Sequence, residues 1–189
     1  MASAFAHVGI GYALGKTFAL PIQGGRLWSL TVLCCLLPDA DVVGFFLGIP
    51  YEHMWGHRGF THSIVFAFLA GMVVARLAVP RVPVWTGLYG MSALYFFLVT
   101  LSHGMLDAFT DGGLGIAFFA PFDSTRYFFP WRPILVSPIG IAQFFSEWGM
   151  NVLLSEFLWI GLPVGLWLVL LRIIGKIGSG KAQEEKRIE

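Results

Sequence analysis

Apolar residues run through this chain in long blocks, and polar residues gather in short clusters between them. A helix that crosses a bilayer needs about 20 mostly apolar residues. Five segments offer that: 2–20, 27–49, 60–79, 84–109 and 152–174. Pro21 and Pro80 close the first and third, and the polar run PDAD interrupts the second. Fold class is therefore all-α: a polytopic membrane helix bundle of about five transmembrane helices. Segment 110–150 is too rich in Pro, Gly and aromatics for a lipid-facing span, because its backbone could not be left unpaired there. It is expected to form an interfacial or re-entrant segment, with 138–148 a short amphipathic helix. A sixth span within 112–129 stays open. Residues 1–178 read as one membrane-embedded domain and 179–189 as a charged cytoplasmic tail.

Composition points the same way. Of 189 residues, 57% are hydrophobic and 12% charged, against roughly a quarter charged in an ordinary soluble domain. Mean hydropathy is +0.75. A soluble chain of this size could not hide so much apolar surface. The one basic cluster, KAQEEKR, sets two glutamates against three basic residues, so nucleic acid is not an expected partner. Cys34 and Cys35 are sequence neighbours in an apolar run and read as packing residues. The N-terminal stretch lacks the basic start of a signal peptide and is expected to be retained.

Charge orients the bundle. With five spans, Lys16, Arg26, Arg76, Arg81, Arg172, Lys176, Lys181, Lys186 and Arg187 share one side, which the positive-inside rule makes cytoplasmic. The other side holds Arg58, Arg126 and Arg132 and most of the acids. The C-terminus is then inside. On the outer side the same topology gathers His7, Asp39, Asp41, His57, His62, His103 and Asp107. None of these residues entered the orientation argument.

Their local patterns carry chemistry. In SHGMLDAFTDGG, His103 and Asp107 stand at i, i+4 and share a helix face. LPDAD places Asp39 and Asp41 just after Pro38, which cannot continue an ordinary helix. Two carboxylates in an apolar stretch are costly unless paired, protonated or metal-bound. In HRGFTHS, Thr61 is expected to cap the third span, with His62 in its first turn and His57 in the loop. His7 lies on an otherwise apolar helix. His53 and Glu52 read as surface residues. Each pattern also has a plainer reading: a local His–Asp hydrogen bond, a helix break capped by Asp39, an interfacial or buried histidine.

Taken together, the seven residues His7, Asp39, Asp41, His57, His62, His103 and Asp107 form a mixed imidazole and carboxylate set. It suits Zn²⁺, with Mn²⁺ or Fe as alternatives. Seven ligands exceed one tetrahedral ion and fit a two-metal site, one ion lowering the pKa of water and the other holding a phosphoryl oxygen. Asp41 or Asp111 is expected to act as general base. Arg58, Arg126 and Arg132 are the candidates for binding a substrate phosphate, with headgroup anchoring as the alternative. GxSxG, HExxH and P-loop patterns are absent.

An early helix histidine, LPDAD, HRGFTHS and SHGMLDAFTDGG, in this order and on this hydropathy, resemble the YdjM-like family of inner-membrane metal-dependent hydrolases. That group is distantly similar to zinc-dependent phospholipase C and P1 nuclease, whose HxxxD ligand pair corresponds to His103 and Asp107. The likeness extends to Asp39 or Asp41, to His62 and to His7. It implies an inner-membrane metallohydrolase, a phosphoesterase by class. The placement of the site at the outer, periplasmic face of the bilayer adds the expectation of a lipid or lipid-linked phosphate, whose tail can stay in lipid while its headgroup meets the metals. This sequence has no histidine after His103, which departs from the soluble enzymes and favours one or two ions over three. A metal-binding structural or regulatory protein and a metal-ion transporter are the rival expectations.

Overall fold

The structure, a computed structural model, describes residues 1–20, 22–138 and 141–188, with backbone alone at 141–142 and 177–188. Its helices are α1 (Ala4–Thr17), α2 (Gly25–Leu36), α3 (Val43–Phe46), α4 (Ile64–Ala78), α5 (Gly87–Ala108), α6 (Ile141–Phe144), α7 (Glu147–Glu156) and α8 (Leu162–Ile188). A π turn, Phe157–Gly161, joins α7 to α8. The described residues contain two isolated bridges, Thr110 with Ile134 and Ile116 with Tyr127, and no strand.

Fewer helices are long and apolar enough to cross a membrane than the five expected. By length and apolar character, α5 and the continuous stretch Glu147–Lys176 qualify. A third is the pair Gly25–Leu36 and Pro38–Phe46, if its 43° bend is counted within one span. Hydropathy counts apolar residues whether or not they are helical, and here the polar clusters shorten the helices. α1 has 14 residues, about 21 Å at 1.5 Å per residue. α4 begins only at Ile64, because Ser63 is its N-cap and accepts from the Phe66 N–H at 3.0 Å. Thr61, expected in that role, instead donates to Asp41. At Pro38 the missing N–H ends α2, and the chain tightens into the 3₁₀ turn Pro38–Val42 that carries both aspartates. The amphipathic helix expected at 138–148 is two pieces, α6 and the start of α7, with 139–140 outside the described residues. No helix forms within 112–129, so there is no sixth span. The expected tail, 179–189, is backbone only where described: 179–188 continue α8.

α4 and α5 make the closest pairing. α4 turns Ala67, Ala70, Gly71, Val74, Ala75 and Ala78 inward. Small side chains at that spacing let two backbones approach, the usual basis of helix association in lipid. At Gly71 a Cβ would lie 2.7 Å from the Phe97 nitrogen. Against this seam pack Cys34, Cys35, Tyr95, Phe96 and Val99, all buried. Outward, α4 exposes Phe68, Leu69, Met72, Val73 and Leu77, and α8 exposes Leu166, Val169, Leu170 and Ile173. Apolar surface on this scale is the face of a protein solvated by lipid.

Candidate metal centre

Four elements deliver the site. The 3₁₀ turn after Pro38 supplies Asp39 and Asp41. The loop before α4 supplies His57 and Arg58, and its own 3₁₀ turn, Phe60–His62, ends on His62. The last turns of α5 supply His103 and Asp107, both fully buried. The first turn of α1 supplies His7. All seven residues named from the sequence come together. His7 stacks on His103 with ring centroids 3.7 Å apart, His103 lies 4.8 Å from His62, and His62 lies 5.6 Å from His57.

One group within this cluster has the character of an ion site. Asp39, His62, His103 and Asp107 each bring a ligand atom, all within 4.8 Å of one another. His103 Nε2 is 3.2 Å and His62 Nε2 3.6 Å from Asp39 Oδ1, and His62 Nε2 is 3.9 Å from Asp107 Oδ2. These four atoms are buried and have no hydrogen-bond partner among the described residues. Buried polar atoms are almost always satisfied, so four unsatisfied ones that converge fit a cation. Two nitrogens and two carboxylate oxygens are the donor set of a zinc or similar divalent ion.

The surroundings orient these ligands. His103 Nδ1 donates to the Cys35 carbonyl at 2.6 Å, which leaves the Nε2 lone pair free. Asp41 accepts from His57 Nδ1 at 2.7 Å, the Arg58 N–H at 3.0 Å and the Thr61 hydroxyl at 2.6 Å. His62 Nδ1 lies 3.2 Å from its second oxygen. A carboxylate has about four lone-pair sites, and four donors face this one. Asp41 is thus the carboxylate that holds two histidines in place. Asp41, His57 and His62 also form a second grouping that could hold an ion. His57 Nε2 and both ring nitrogens of His7 are unpartnered, and His7 Nε2 stands 3.5 Å from Asp107 Oδ1.

The three arginines sit differently from expectation. Arg58 is fully buried, with its backbone in the left-handed region at φ 63°. Its Nε lies 3.3 Å from Asp107 Oδ2, and its other nitrogens donate to the Gly112 carbonyl and Thr110 Oγ1. It therefore holds Asp107 rather than presenting a free guanidinium. Arg126 donates to the carbonyls of His57, Gly115, Tyr51 and His53, pinning the histidine loop. Burial lowers its pKa and raises that of the Tyr51 phenol beneath it. Arg132 is exposed and lies over the Phe128 ring. Asp111 is exposed and accepts from the Val136 N–H at 2.8 Å, outside the cluster. Glu52 and His53 are exposed, as expected of surface residues.

Sequence reasoning gave no role to Glu156 or to residues 2–3. Ala2 N–H donates to Asp107 Oδ1 at 2.6 Å, and Glu156, buried, accepts from Ser3. A carboxylate at the mouth of an apolar run was the available signal.

Comparison with known proteins agrees with this architecture. The family described as YdjM inner membrane protein matches residues 1–177. The chain belongs to this family. Inner membrane protein YbcI of Escherichia coli K12 is 34% identical over 169 residues, covering 86% of this chain and 92% of that relative. Inner membrane protein YdjM, also from Escherichia coli K12, is 40% identical over 105 residues, covering 48% of this chain and 49% of its own length. No solved structure matches. Family membership and the apolar helices together make this an inner membrane protein.

Proposed function

We propose that this protein is a membrane-embedded metal-dependent hydrolase that cleaves a phosphoester or phosphoanhydride bond in a lipid or lipid-linked substrate. The observation that carries the reading is the convergence of Asp39 Oδ1, His62 Nε2, His103 Nε2 and Asp107 Oδ2, all buried and without a hydrogen bond, Asp107 Oδ2 having the Arg58 guanidinium beside it. These residues would hold Zn²⁺, or Mn²⁺ or Fe in its place. A divalent ion there supplies Lewis acidity, which acidifies a water and neutralises charge on a phosphoryl oxygen.

The chain's own groups do the rest. Asp39, whose side chain is 13% exposed, is the ligand on the open edge of the group, where a headgroup can approach. Asp41 and the Cys35 carbonyl hold His62 and His103 in register. Arg58 and Ala2 fix the two oxygens of Asp107. His7 and His57 keep unpartnered nitrogens beside the four atoms. They serve as donors to a second ion or as the proton acceptor, and the metal stoichiometry decides between these roles. Asp41 is engaged by its four donors, and Asp111 lies outside the cluster, so neither supports the general-base role expected of it. The apolar exterior allows a substrate tail to stay in lipid while its headgroup reaches the site. The gathering of Lys and Arg at the opposite end of the bundle supports a periplasmic position for the cluster.

A second reading rests on the burial of His62, His103 and Asp107: four protein ligands closed around an ion are the mark of a structural site. Elemental analysis of purified protein beside His103→Ala and His62→Ala, followed by phosphate release from phospholipids and polyprenyl phosphates, separates the two. The hydrolase reading expects about one to two equivalents of metal, lost in both variants together with hydrolysis. Bound metal without hydrolysis favours the structural reading, and well-folded protein that takes up no Zn²⁺, Mn²⁺ or Fe ends both.

A further inference from the structure

Glu156 closes α7 where the apolar stretch into α8 begins, and its side chain is 5% exposed. A carboxylate in such a place is costly unless its oxygens are satisfied. Both oxygens are used on one residue: Oε1 accepts from the Ser3 N–H and Oε2 from the Ser3 hydroxyl. Ser3 is also the N-cap of α1, its Oγ accepting from the Ala6 N–H. The neighbouring Ala2 N–H points the other way, onto Asp107 Oδ1 at 2.6 Å. One turn into α1, His7 lies flat on His103.

We propose that Glu156 is a positioning residue of the metal site. By gripping Ser3 at both its N–H and its hydroxyl, it aims the Ala2 N–H at Asp107 Oδ1. Oδ2, which lies beside both Arg58 Nε and His62 Nε2, is then the oxygen turned toward the ion, and α1 is held in the register that lays His7 on His103. This inference rests on the metal-site reading above. A carboxylate ligand with one oxygen held by a fixed donor is monodentate and oriented, and loss of such outer partners typically weakens metal binding about 10–100-fold. The plainer role for Glu156 is to tether α7 to α1 without consequence for the ion.

The test uses the full chain in detergent, titrated with Zn²⁺ against a competing chelator and with Co²⁺, whose visible bands report ligand geometry. Variants are Glu156→Ala, Glu156→Gln and Ser3→Ala, with His103→Ala as the ligand-loss control. Glu156→Ala is expected to weaken Zn²⁺ binding about tenfold or more and to shift the Co²⁺ bands. Glu156→Gln keeps an acceptor for the Ser3 N–H and is expected to recover most of the affinity. Ser3→Ala should fall between them. Wild-type affinity and wild-type bands in Glu156→Ala overturn the positioning role while leaving the metal site intact. Should Glu156→Ala not fold, Ser3→Ala decides: weakened binding supports the role and unchanged binding overturns it. A wild type that binds neither ion sinks the metal reading itself, and this inference with it.

Discussion

At the scale of single residues, Asp41 and Arg58 carry the sharpest expectations. Asp41 faces three hydrogen-bond donors and the nearby His62 Nδ1. Asp41→Asn turns an NH₂ group toward some of them, so His57 and His62 lose their fixed orientation. Zn²⁺ affinity should weaken about 10–100-fold, read by chelator competition; an unchanged constant would mean that the histidines are held by packing alone. Arg58 and Asp107 are both fully buried. Arg58→Met leaves the carboxylate uncompensated, and removing one partner of a buried pair costs about 3–5 kcal/mol. Thermal unfolding of the metal-free protein in detergent should show a clear drop in midpoint. His57, His62, His103 and Asp107 stand out in the sequence because polar residues are expensive inside apolar runs. The role of Arg58 does not stand out. Its partners at Thr110 and Gly112 lie more than fifty residues along the chain, so the sequence showed the guanidinium beside His57 and nothing of what it grips.

At the scale of elements, the seam between α4 and α5 depends on the absence of a side chain. At Gly71 an added Cβ would stand 2.7 Å from the Phe97 nitrogen and 2.9 Å from the Ala93 carbonyl oxygen, both backbone atoms that cannot step aside. Gly71→Leu must push the helices apart, an overpacking cost of about 1–3 kcal/mol or more. Gly90, on the same pair of helices, has nothing within 4 Å of its Cβ direction. Gly90→Ala should not lower the unfolding midpoint, since alanine is the better helix former. A Gly71→Leu protein as stable as wild type would contradict the close packing. The sequence does not disclose this pairing, because a stripe of Ala and Gly does not specify which helix lies against it.

At the scale of the whole molecule, two ends of the bundle differ in chemistry. The Asp and His cluster lies at the end where α5 finishes. Arg26 and Arg76 lie at the end where it begins, donating to the carbonyls of Leu77 and Val82. From Gly87 to His103 is about 24 Å along the helix axis, most of a hydrocarbon core. Phe122 on the site side is 87% exposed and Trp85 on the other 85% exposed, while the natural cysteines are buried. With the site on the periplasmic face, Phe122→Cys should react with a membrane-impermeant maleimide in spheroplasts and Trp85→Cys should not; the reverse pattern would invert the assigned orientation. Metal should also stabilise the fold as a whole. An ion present at a hundred times its dissociation constant contributes about 2.7 kcal/mol. A chelator should therefore lower the unfolding midpoint of wild type and leave His103→Ala unmoved.

The sequence by itself determined that this is a helical membrane protein, and it named the seven Asp and His side chains that meet in one cluster. Both follow from one physical fact: in a strongly apolar chain each polar group is costly, so polar positions are few and those that share a side of the bundle can meet. Only the tertiary structure decided how long the helices are, because an apolar run reads alike whether it is helix or loop, and the breaks at Pro38 and Ser63 shorten what hydropathy joins. Only the tertiary structure separated Asp39, whose oxygen is unpartnered, from Asp41, whose oxygens face four donors. These two residues differ by two positions and by nothing in composition. What distinguishes them is the direction each carboxylate takes from a 3₁₀ turn and the donors that arrive from a loop sixteen or more residues later.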